Sequence, residues 1–251
     1  MSTSHLIENE VDTSDTYLLS AQNLIKKFGG VTALDSVSFN LKTGGSLGIM
    51  GPNGSGKTTI FNVLTGFLRA DSGKVFWNGS DISKESVHRR ARQGMVRTFQ
   101  QSMLMPGLSV RENVDIAIVD ASLSGREPVT ADEILDFLGL KATQSTLGVD
   151  LSWGDSRLLG IGLALATRPR LLLMDEPFAG LNALSIERVS SLIHRLSEEG
   201  YSMCIVDHKV PHLVPLCDRL MVLVNGVVLA EGAPDDIISS RDVQVAYLGV
   251  T

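Results

Sequence analysis

The sequence predicts an α/β fold in which a core of strands and helices begins with an antiparallel β region and is interrupted by a helical insertion. A short apolar strand runs into a glycine-rich turn and then a helix, which is how a βαβ unit begins. Helical periodicity dominates from about residue 110 to 166, and short apolar strands then return. With 251 residues, 43 % of them hydrophobic, the chain can bury such a core.

The first part of the chain is predicted to form strands followed by one helix. Apolar residues in 17–25 and 33–41, largely spaced by two in the second stretch, predict an antiparallel β region. Residues 46–50, SLGIM, form a compact apolar strand that runs directly into the glycine-rich turn. The helix after the turn presents one apolar face, formed by Ile60, Val63, Leu64 and Phe67.

The later part of the chain predicts helices and then strands. Helical segments begin near Val110, Thr130 and Gly154, and apolar strands follow at 171–174, 203–206 and 220–224. The first sixteen residues are polar and acidic, which predicts a disordered leader at 1–16. The folded domain is then 17–251, with a helical subdomain at about 101–167 inserted in it.

The charge balance argues against a nucleic-acid partner. The chain has 22 basic and 28 acidic residues, a net charge of −6, whereas binding to phosphate backbones needs a clustered excess of Lys and Arg. Residues 88–92, HRRAR, form a local basic cluster, for which a solvated helix face is the favoured interpretation.

Two features bear on the compartment of the protein. Cys204 and Cys217 lie thirteen positions apart among apolar neighbours, with no CxxC pair, so we expect buried, reduced thiols in a cytosolic protein. No run approaches the roughly 20 apolar residues that span a bilayer. We therefore expect any membrane role to depend on partner proteins.

The glycine-rich turn at residues 51–58, GPNGSGKT, matches the phosphate-binding pattern G-x-x-x-x-G-K-[ST]. Backbone N–H groups at a helix N-terminus, with the helix dipole behind them, bind anions. Lys57 would reach the terminal phosphates, and Thr58 would offer its hydroxyl to Mg²⁺. The alternative, a plain glycine-rich turn, is disfavoured because the pattern lies between a strand and a helix.

Polar residues follow two of the later strands. Asp175 and Glu176 end an apolar strand, where the first can hold Mg²⁺ and the second can accept a proton from an attacking water. A solvated acid at a strand end is the alternative, and the phosphate-binding turn argues against it. His208 follows the strand at 203–206, where a lone histidine is more often structural; in a protein with a phosphate-binding turn, the catalytic interpretation is favoured.

Together these motifs resemble those of the ATP-binding cassette (ABC) ATPases, over residues from about 18 to 249. The resemblance implies a P-loop NTPase fold with a RecA-like mixed-sheet core, which binds ATP and Mg²⁺. It implies that Phe28 stacks on adenine and that His208 contacts the γ-phosphate. Gln100 in VRTFQQ would touch Mg²⁺ and water and sense the transmembrane partner. The implied nucleotide-binding residues are Phe28, Gly51, Pro52, Asn53, Gly54, Ser55, Gly56, Lys57, Thr58 and Thr59, and the implied metal ligands are Thr58, Gln100 and Asp175.

The stretch LSWGD matches the family's signature sequence. Two such domains would dimerise head to tail, so that the signature residues Ser152, Trp153, Gly154 and Asp155 serve the partner's nucleotide. Trp153 and Asp155 stand where a better-known pattern has glycine and glutamine. A carboxylate at Asp155 repels a triphosphate, although at a helix start it also complements the dipole. Pro211 and Pro215 predict an altered helix cap or a 3₁₀ turn after His208.

Within the family, the chain is most similar to ATPase subunits of bacterial branched-chain amino-acid importers, through KKFGGVTAL, RTFQ, DEPFAGLN, EGAPDDI and AYLG. This implies transmembrane permease subunits, a second ATPase of the same or a sibling chain, a periplasmic solute-binding protein and a location on the cytoplasmic face of the inner membrane. The alternatives are a lipopolysaccharide-type exporter and an ABC ATPase acting on nucleic acid. A module that binds ATP without hydrolysing it conflicts with the intact Lys57, Asp175, Glu176 and His208.

Overall fold

The computed structural model describes residues 17–98, 104–122 and 129–248. The predicted leader at 1–16 and Gln100 lie outside the described residues. The strands are β1 (Tyr17–Phe28), β2 (Val31–Lys42), β3 (Ser46–Met50), β4 (Ser72–Trp77), β5 (Ser80–Asp81), β6 (Met95–Thr98), β7 (Leu171–Asp175), β8 (Ser202–Val206), β9 (Arg219–Val224) and β10 (Val227–Gly232). The helices are α1 (Lys57–Thr65), α2 (Val87–Arg92), α3 (Val110–Ser122), α4 (Ala131–Leu138), α5 (Trp153–Ala166), α6 (Ala183–Glu198), α7 (Val210–Leu213), α8 (Pro234–Ser239) and α9 (Arg241–Leu248).

The strands form two sheets. The first has the order β2-β1-β4-β5 and is antiparallel, with Leu24 of β1 opposite Val37 of β2. The second has the order β10-β9-β3-β8-β7-β6, in which neighbours are parallel except the pair of β9 and β10. The predicted α/β fold with a mixed core sheet and an antiparallel β region is confirmed.

The mixed sheet lies between two hydrophobic cores. Along β7, Leu171 and Leu173 pack into the core shared with α1 and the antiparallel sheet, while Leu172 and Met174 pack into the core shared with α3 to α6. A strand covered on both faces must be apolar throughout, which is why the apolar runs predicted the central strands. The carboxyl ends of the parallel strands β3, β7 and β8 therefore meet at one edge, where the predicted site residues follow them.

Helix α1 is shorter than the sequence predicted. It ends at Thr65, because Gly66 takes a left-handed conformation (φ 82°) and its N–H donates to the carbonyl of Val63. Phe67 therefore lies beyond the helix with its side chain 54 % exposed. The prediction that Phe67 belongs to the apolar face of this helix is wrong, because the turn at Gly66 rotates it toward solvent.

Arg90 in the basic cluster is buried, which contradicts the prediction of a solvated face at this position. Its side chain is 2 % exposed and donates to the carbonyls of Val63 and Leu64, at 2.7 and 2.5 Å, and of Ile82, at 2.7 Å. The last carbonyls of a helix have no intrahelical donors and carry the negative end of the dipole, so a cation stabilises them. Burial lowers the pKa of Arg90 below its usual value. Arg90 thus caps the C-terminal end of α1.

We expect Arg90→Met to lower the free energy of unfolding by about 3 kcal/mol, because buried carbonyls then lose their charged donor. Urea denaturation of the purified chain measures this. Arg89→Met is the matched control, since Arg89 is exposed and pairs with Glu85 at 3.0 Å; we expect a loss of less than about 1 kcal/mol there. Equal losses in the two variants would contradict the capping role.

The chain between β6 and β7 contains helices α3, α4 and α5, with two short 3₁₀ turns, Lys141–Thr143 and Gly148–Asp150, between α4 and α5. After His208, the four-residue helix α7 and the 3₁₀ turn Val214–Leu216 confirm the disruption predicted from the two prolines. Cys204 and Cys217 are buried free thiols, as predicted. Among the described residues, no helix has the length and apolar character needed to cross a bilayer.

Candidate active site

The loop between β3 and α1 is shaped by its glycines. Gly56 precedes the first helical residue, Lys57, in a left-handed conformation (φ 109°) that a side chain would strain. A Cβ at Gly51 would collide with the carbonyl oxygen of Leu223 and would approach Ser55 Oγ to 2.6 Å. The glycines thus let the loop turn tightly against the sheet and deliver the chain into α1 with its first N–H groups at the carboxyl edge.

Lys57 lies inside this loop. Its Nζ donates to the carbonyl oxygens of Gly51 at 2.7 Å and Pro52 at 2.8 Å, and the residue is 6 % exposed. Burial lowers the pKa of Lys57, and the carboxylates of Glu176, Asp175 and Asp207 partly offset this effect. The ammonium group is therefore short of water, which favours its binding to an anion, while the nearby carboxylates favour its charged form.

Asp175 ends β7 and is buried, with a partner that the sequence analysis did not predict. Arg97 of β6 donates to Asp175 Oδ2 at 2.5 Å and to Asn62 Oδ1 of α1 at 2.6 Å. Because β6 and β7 are parallel neighbours with Arg97 opposite Leu173, the arginine side chain lies on the same face as that of Asp175. A guanidinium therefore joins the edge strand, the carboxylate and α1.

Glu176 follows in a strained backbone conformation. Its φ is 47°, in the left-handed region, and its N–H donates to the carbonyl of Val206 at 2.7 Å. Glu176 Oε1 lies 3.9 Å from His208 Nδ1. The bond to β8 overcomes the strain and fixes where the carboxylate points, as is common at catalytic sites.

Asp207 holds the two loops that carry Glu176 and His208. It is fully buried, and its carboxylate accepts the N–H of Phe178 at 3.1 Å and that of Lys209 at 2.8 Å. The two N–H groups follow Glu176 and His208 in the chain, so one carboxylate holds both loops. Lys209 Nζ adds a bond to the carbonyl of Phe178 at 3.1 Å.

The predicted residues of the loop and the strand ends meet at one cavity. It has a volume of about 470 Å³ and is lined by Gly51, Pro52, Asn53, Glu176 and His208. Thr58 is exposed and Thr59 is half-buried in the first turn of α1. That these residues together bind a nucleotide stays a prediction.

Phe28 lies at the end of β1 with its ring half exposed and Lys26 Nζ 5.5 Å from the ring centroid. The following strand is tied to the phosphate loop through the turn before β10. Asp35 N–H donates to the carbonyl of Gly226, and Gly226 N–H donates to the carbonyl of Ser55. The antiparallel sheet therefore holds a fixed position beside the loop.

The signature residues lie at the start of α5. Ser152 is the N-cap residue: its hydroxyl accepts the N–H of Asp155 at 3.1 Å and donates to Asp155 Oδ2 at 2.7 Å. Asp155 also pairs with Arg188 of α6 at 2.8 Å. The carboxylate that departs from the better-known pattern is thus charge-paired, which lessens its repulsion of a phosphate.

The face around this helix start is open. Trp153 and Leu184 are 65 % and 68 % exposed. Gly154 packs so closely on Ser185 that a side chain at this position would collide with it. None of the four signature residues is among the described residues that line the cavity at Glu176.

Residues 34–179 match the family model described as ABC transporter. The chain belongs to the ABC transporter family. It is 37 % identical over 245 residues to the probable branched-chain amino acid transport ATP-binding protein LivG of Archaeoglobus fulgidus, with 92 % of this chain and 95 % of LivG covered. It is 33 % identical over 234 residues to the lipopolysaccharide export system ATP-binding protein LptB of Escherichia coli, with 92 % of this chain and 97 % of LptB covered.

The fold agrees with this family. A crystal structure described as the ADP conformation of an ATP-binding cassette of an ABC transporter superposes with a TM-score of 0.83 at 32 % identity, covering 93 % of this chain and 99 % of that chain. The chain is thus an ATP-hydrolysing subunit of an ABC transporter. Subunits of this family bind ATP and ADP, dimerise and work with transmembrane permeases.

The residues of the site suit the binding of ATP and Mg²⁺. Ser55 Oγ is buried and has no hydrogen-bond partner among the described residues, and it lies in the loop where its O–H would donate a hydrogen bond to a phosphate oxygen. No group of three or more His, Cys, Asp or Glu in the described part of the chain suits a metal ion by itself. Mg²⁺ commonly takes one or two carboxylates together with substrate phosphates, and Asp175 with the Thr58 hydroxyl fits that pattern.

Three functional candidates were missed by the sequence analysis. Asp207 follows an apolar strand, as Asp175 does, so the same signal could have found it. Arg97 stands in a short strand, where a charged residue indicates a buried partner. Arg188 gave no signal, because its pairing with Asp155 depends on how α5 and α6 pack.

Proposed function

We propose that this chain powers an importer of branched-chain or other hydrophobic amino acids, or of a related small polar solute. ATP binding would close a dimer of two such subunits, and hydrolysis would reopen it. The partners would be transmembrane permease subunits, a second ATPase of the same or a sibling chain and a periplasmic solute-binding protein. The chain would lie on the cytoplasmic face of the inner membrane, held there by the permeases.

The convergence of Lys57, Glu176 and His208 at the carboxyl edge of the sheet supports ATP hydrolysis most strongly. Lys57 would neutralise the terminal phosphates, because it lies within the loop and its ammonium group is little hydrated. Glu176 would accept a proton from the attacking water, since its backbone fixes the carboxylate beside the cavity. His208, 3.9 Å from that carboxylate, would contact the γ-phosphate.

Asp175, with the hydroxyl of Thr58 and Gln100, would hold Mg²⁺. When bound, this ion would neutralise charge that develops on the phosphate oxygens. Thr58 is the second residue of α1, and Asp175 ends the buried strand β7, so both come from rigid elements. Gln100 lies outside the described residues, and its role rests on the family resemblance.

The position of the signature supports its action on a partner's nucleotide. Ser152, Gly154 and the N–H groups at the start of α5 form an anion-binding helix terminus. They lie apart from this chain's own phosphate loop and beside exposed apolar side chains. A second subunit placed head to tail would cover these side chains and bring its nucleotide to Ser152. The Asp155–Arg188 pair would reduce the repulsion of that nucleotide.

A second cavity suits the permease. It has a volume of about 470 Å³, is lined mostly by apolar atoms and lies between β6 and helices α3 and α5. Ile116 on its rim is exposed. Arg97 and Thr98 line it directly before the segment that contains Gln100. A permease element bound here would contact both the helical insertion and the core sheet.

Sequence similarity supports the importer as the first candidate and the exporter as the second. The similarity to LivG and the stretches RTFQ and AYLG favour the importer. The similarity to LptB makes a lipopolysaccharide-type exporter the second candidate.

Co-purification of the tagged chain from native membranes tests the proposal. We expect permease subunits to elute with the chain, and addition of the system's own solute-binding protein with its solute to raise ATP turnover. Elution with lipopolysaccharide instead would identify the exporter. Salt-sensitive binding of duplex DNA without any permease would contradict both transport functions.

A further inference from the structure

Arg97 neutralises the carboxylate that the proposed function assigns to Mg²⁺. The side chains of Arg97 and Asp175 are 8 % and 11 % exposed, and their contact at 2.5 Å is a buried, charge-assisted hydrogen bond. Neither the mechanism described above nor the family comparison uses this arginine.

The guanidinium is held in place by its bond to Asp175 of β7 and by two contacts to α1. It donates to Asn62 Oδ1 of α1 at 2.6 Å, and its carbon lies 5.6 Å from the ring centroid of Phe61, also on α1. A guanidinium bonded to two oxygens and packed on an aromatic ring is well fixed in direction. Arg97 thus places its guanidinium directly against the Asp175 carboxylate. The guanidinium cannot move away unless its contacts to α1 rearrange.

Two cations cannot share one carboxylate without cost. Lys57 already lies near Asp175, so the local field contains two positive side chains before any metal ion enters. Arg97 and Lys57 repel a divalent cation and so weaken its attraction to Asp175. This effect is strong where water is excluded.

We propose that Arg97 is a positioning residue that competes with Mg²⁺ for Asp175. Arg97 stabilises the Asp175 carboxylate while no metal is bound, and it gives up part of this contact when Mg²⁺ and nucleotide bind. Its release would alter the contact between β6 and α1 and so couple metal binding to the end of β6. This inference rests on the proposed role of Asp175 as a metal ligand.

The measurement is the magnesium factor, defined as the Kd of ADP in EDTA divided by its Kd in saturating Mg²⁺, from calorimetry on the purified full chain. We expect Arg97→Gln to raise the magnesium factor by about fivefold or more, because the competing charge is gone. Asn62→Ala keeps the charge and removes one of its anchors, so we expect a rise of about twofold. Arg111→Gln is the matched control: Arg111 pairs with Asp132 far from the site, and the factor should not change.

Thermal unfolding gives a second readout. In EDTA, Arg97→Gln should lower the Tm by about 6 °C or more, because a buried carboxylate loses its partner. With Mg²⁺ and ADP the deficit should fall to less than half, since the metal supplies the missing charge. The control Arg111→Gln should give the same small shift in both conditions.

The outcomes separate the two proposals. An unchanged or smaller magnesium factor in both Arg97→Gln and Asn62→Ala would overturn the competition between Arg97 and Mg²⁺. If Arg97→Gln does not fold, the factor of Asn62→Ala decides alone. Asp175→Asn tests the underlying assignment: a wild-type magnesium factor in that variant would show that Asp175 is not the metal ligand, whatever Arg97 does.

Discussion

Replacing Glu176 with glutamine is expected to leave ATP bound in a long-lived closed dimer and to slow its hydrolysis by at least about a hundredfold. An amide has nearly the shape of a carboxylate but cannot accept the proton of the attacking water. Hydrolysis is therefore lost while the contacts that close the dimer remain. Release of phosphate from radiolabelled ATP and gel filtration in the presence of ATP measure the two effects.

The structure explains why this substitution should leave the site intact. Glu176 is held through its backbone N–H, which donates to Val206, and the left-handed φ of 47° does not depend on the side-chain charge. The N–H of Phe178 stays bonded to Asp207. Glu199→Gln, an identical change at the exposed C-cap of α6, is the matched control. An unchanged ATPase rate in Glu176→Gln would show that another group is the general base.

The hydrophobic pattern of the sequence predicted the strands that are buried on both faces. Strands β3, β7 and β8 are covered on both faces, so each appears in the sequence as a short apolar run. Because parallel strands share one carboxyl edge, residues after these runs could be brought together before any coordinates were known. Lys57 was predicted from the phosphate-binding pattern, and Asp175 and Glu176 from their position at a strand end; the structure brings the three side chains close together.

Long-range pairing of charges could not be read from the sequence. Arg90 looked like part of a solvated basic cluster, yet it reaches 26 residues back along the chain to cap α1. Arg97 and Asp175 are separated by 78 positions, and Arg188 and Asp155 by 33. Each pair depends on how two elements pack, and residue type or periodicity carries no record of that packing.

Helix boundaries were less predictable than helix existence. Apolar spacing alone extended α1 to Phe67, whereas Gly66 ends the helix before it. The prolines after His208 gave a better signal, because proline removes a backbone donor and clashes with the preceding turn. Backbone chemistry thus located the end of a helix where the hydrophobic pattern did not.

Replacing Lys57 with alanine is expected to abolish ATP turnover, with a fall of at least about a thousandfold. Lys57 is the buried cation that borders the phosphate loop, and its Nζ bonds to Gly51 and Pro52 also brace that loop. Alanine removes the brace, and it also removes the positive charge that we propose neutralises the terminal phosphates. We therefore expect weaker ATP binding as well as slower hydrolysis, which distinguishes this variant from Glu176→Gln.

The control for Lys57→Ala is Lys84→Ala, which removes the same charge from an exposed position, so net charge changes equally in both. The affinity for a fluorescent ATP analogue and the rate of phosphate release should fall only in Lys57→Ala. Burial lowers the pKa of Lys57, so its charged form is stabilised less in the protein than in water. The loss of this poorly hydrated charge offsets part of the cost of the two lost bonds to Gly51 and Pro52, so the Tm of Lys57→Ala in EDTA should lie only modestly below that of Lys84→Ala. Loss of turnover together with a large fall in Tm would point to a collapsed loop, and would contradict a direct role of the charge.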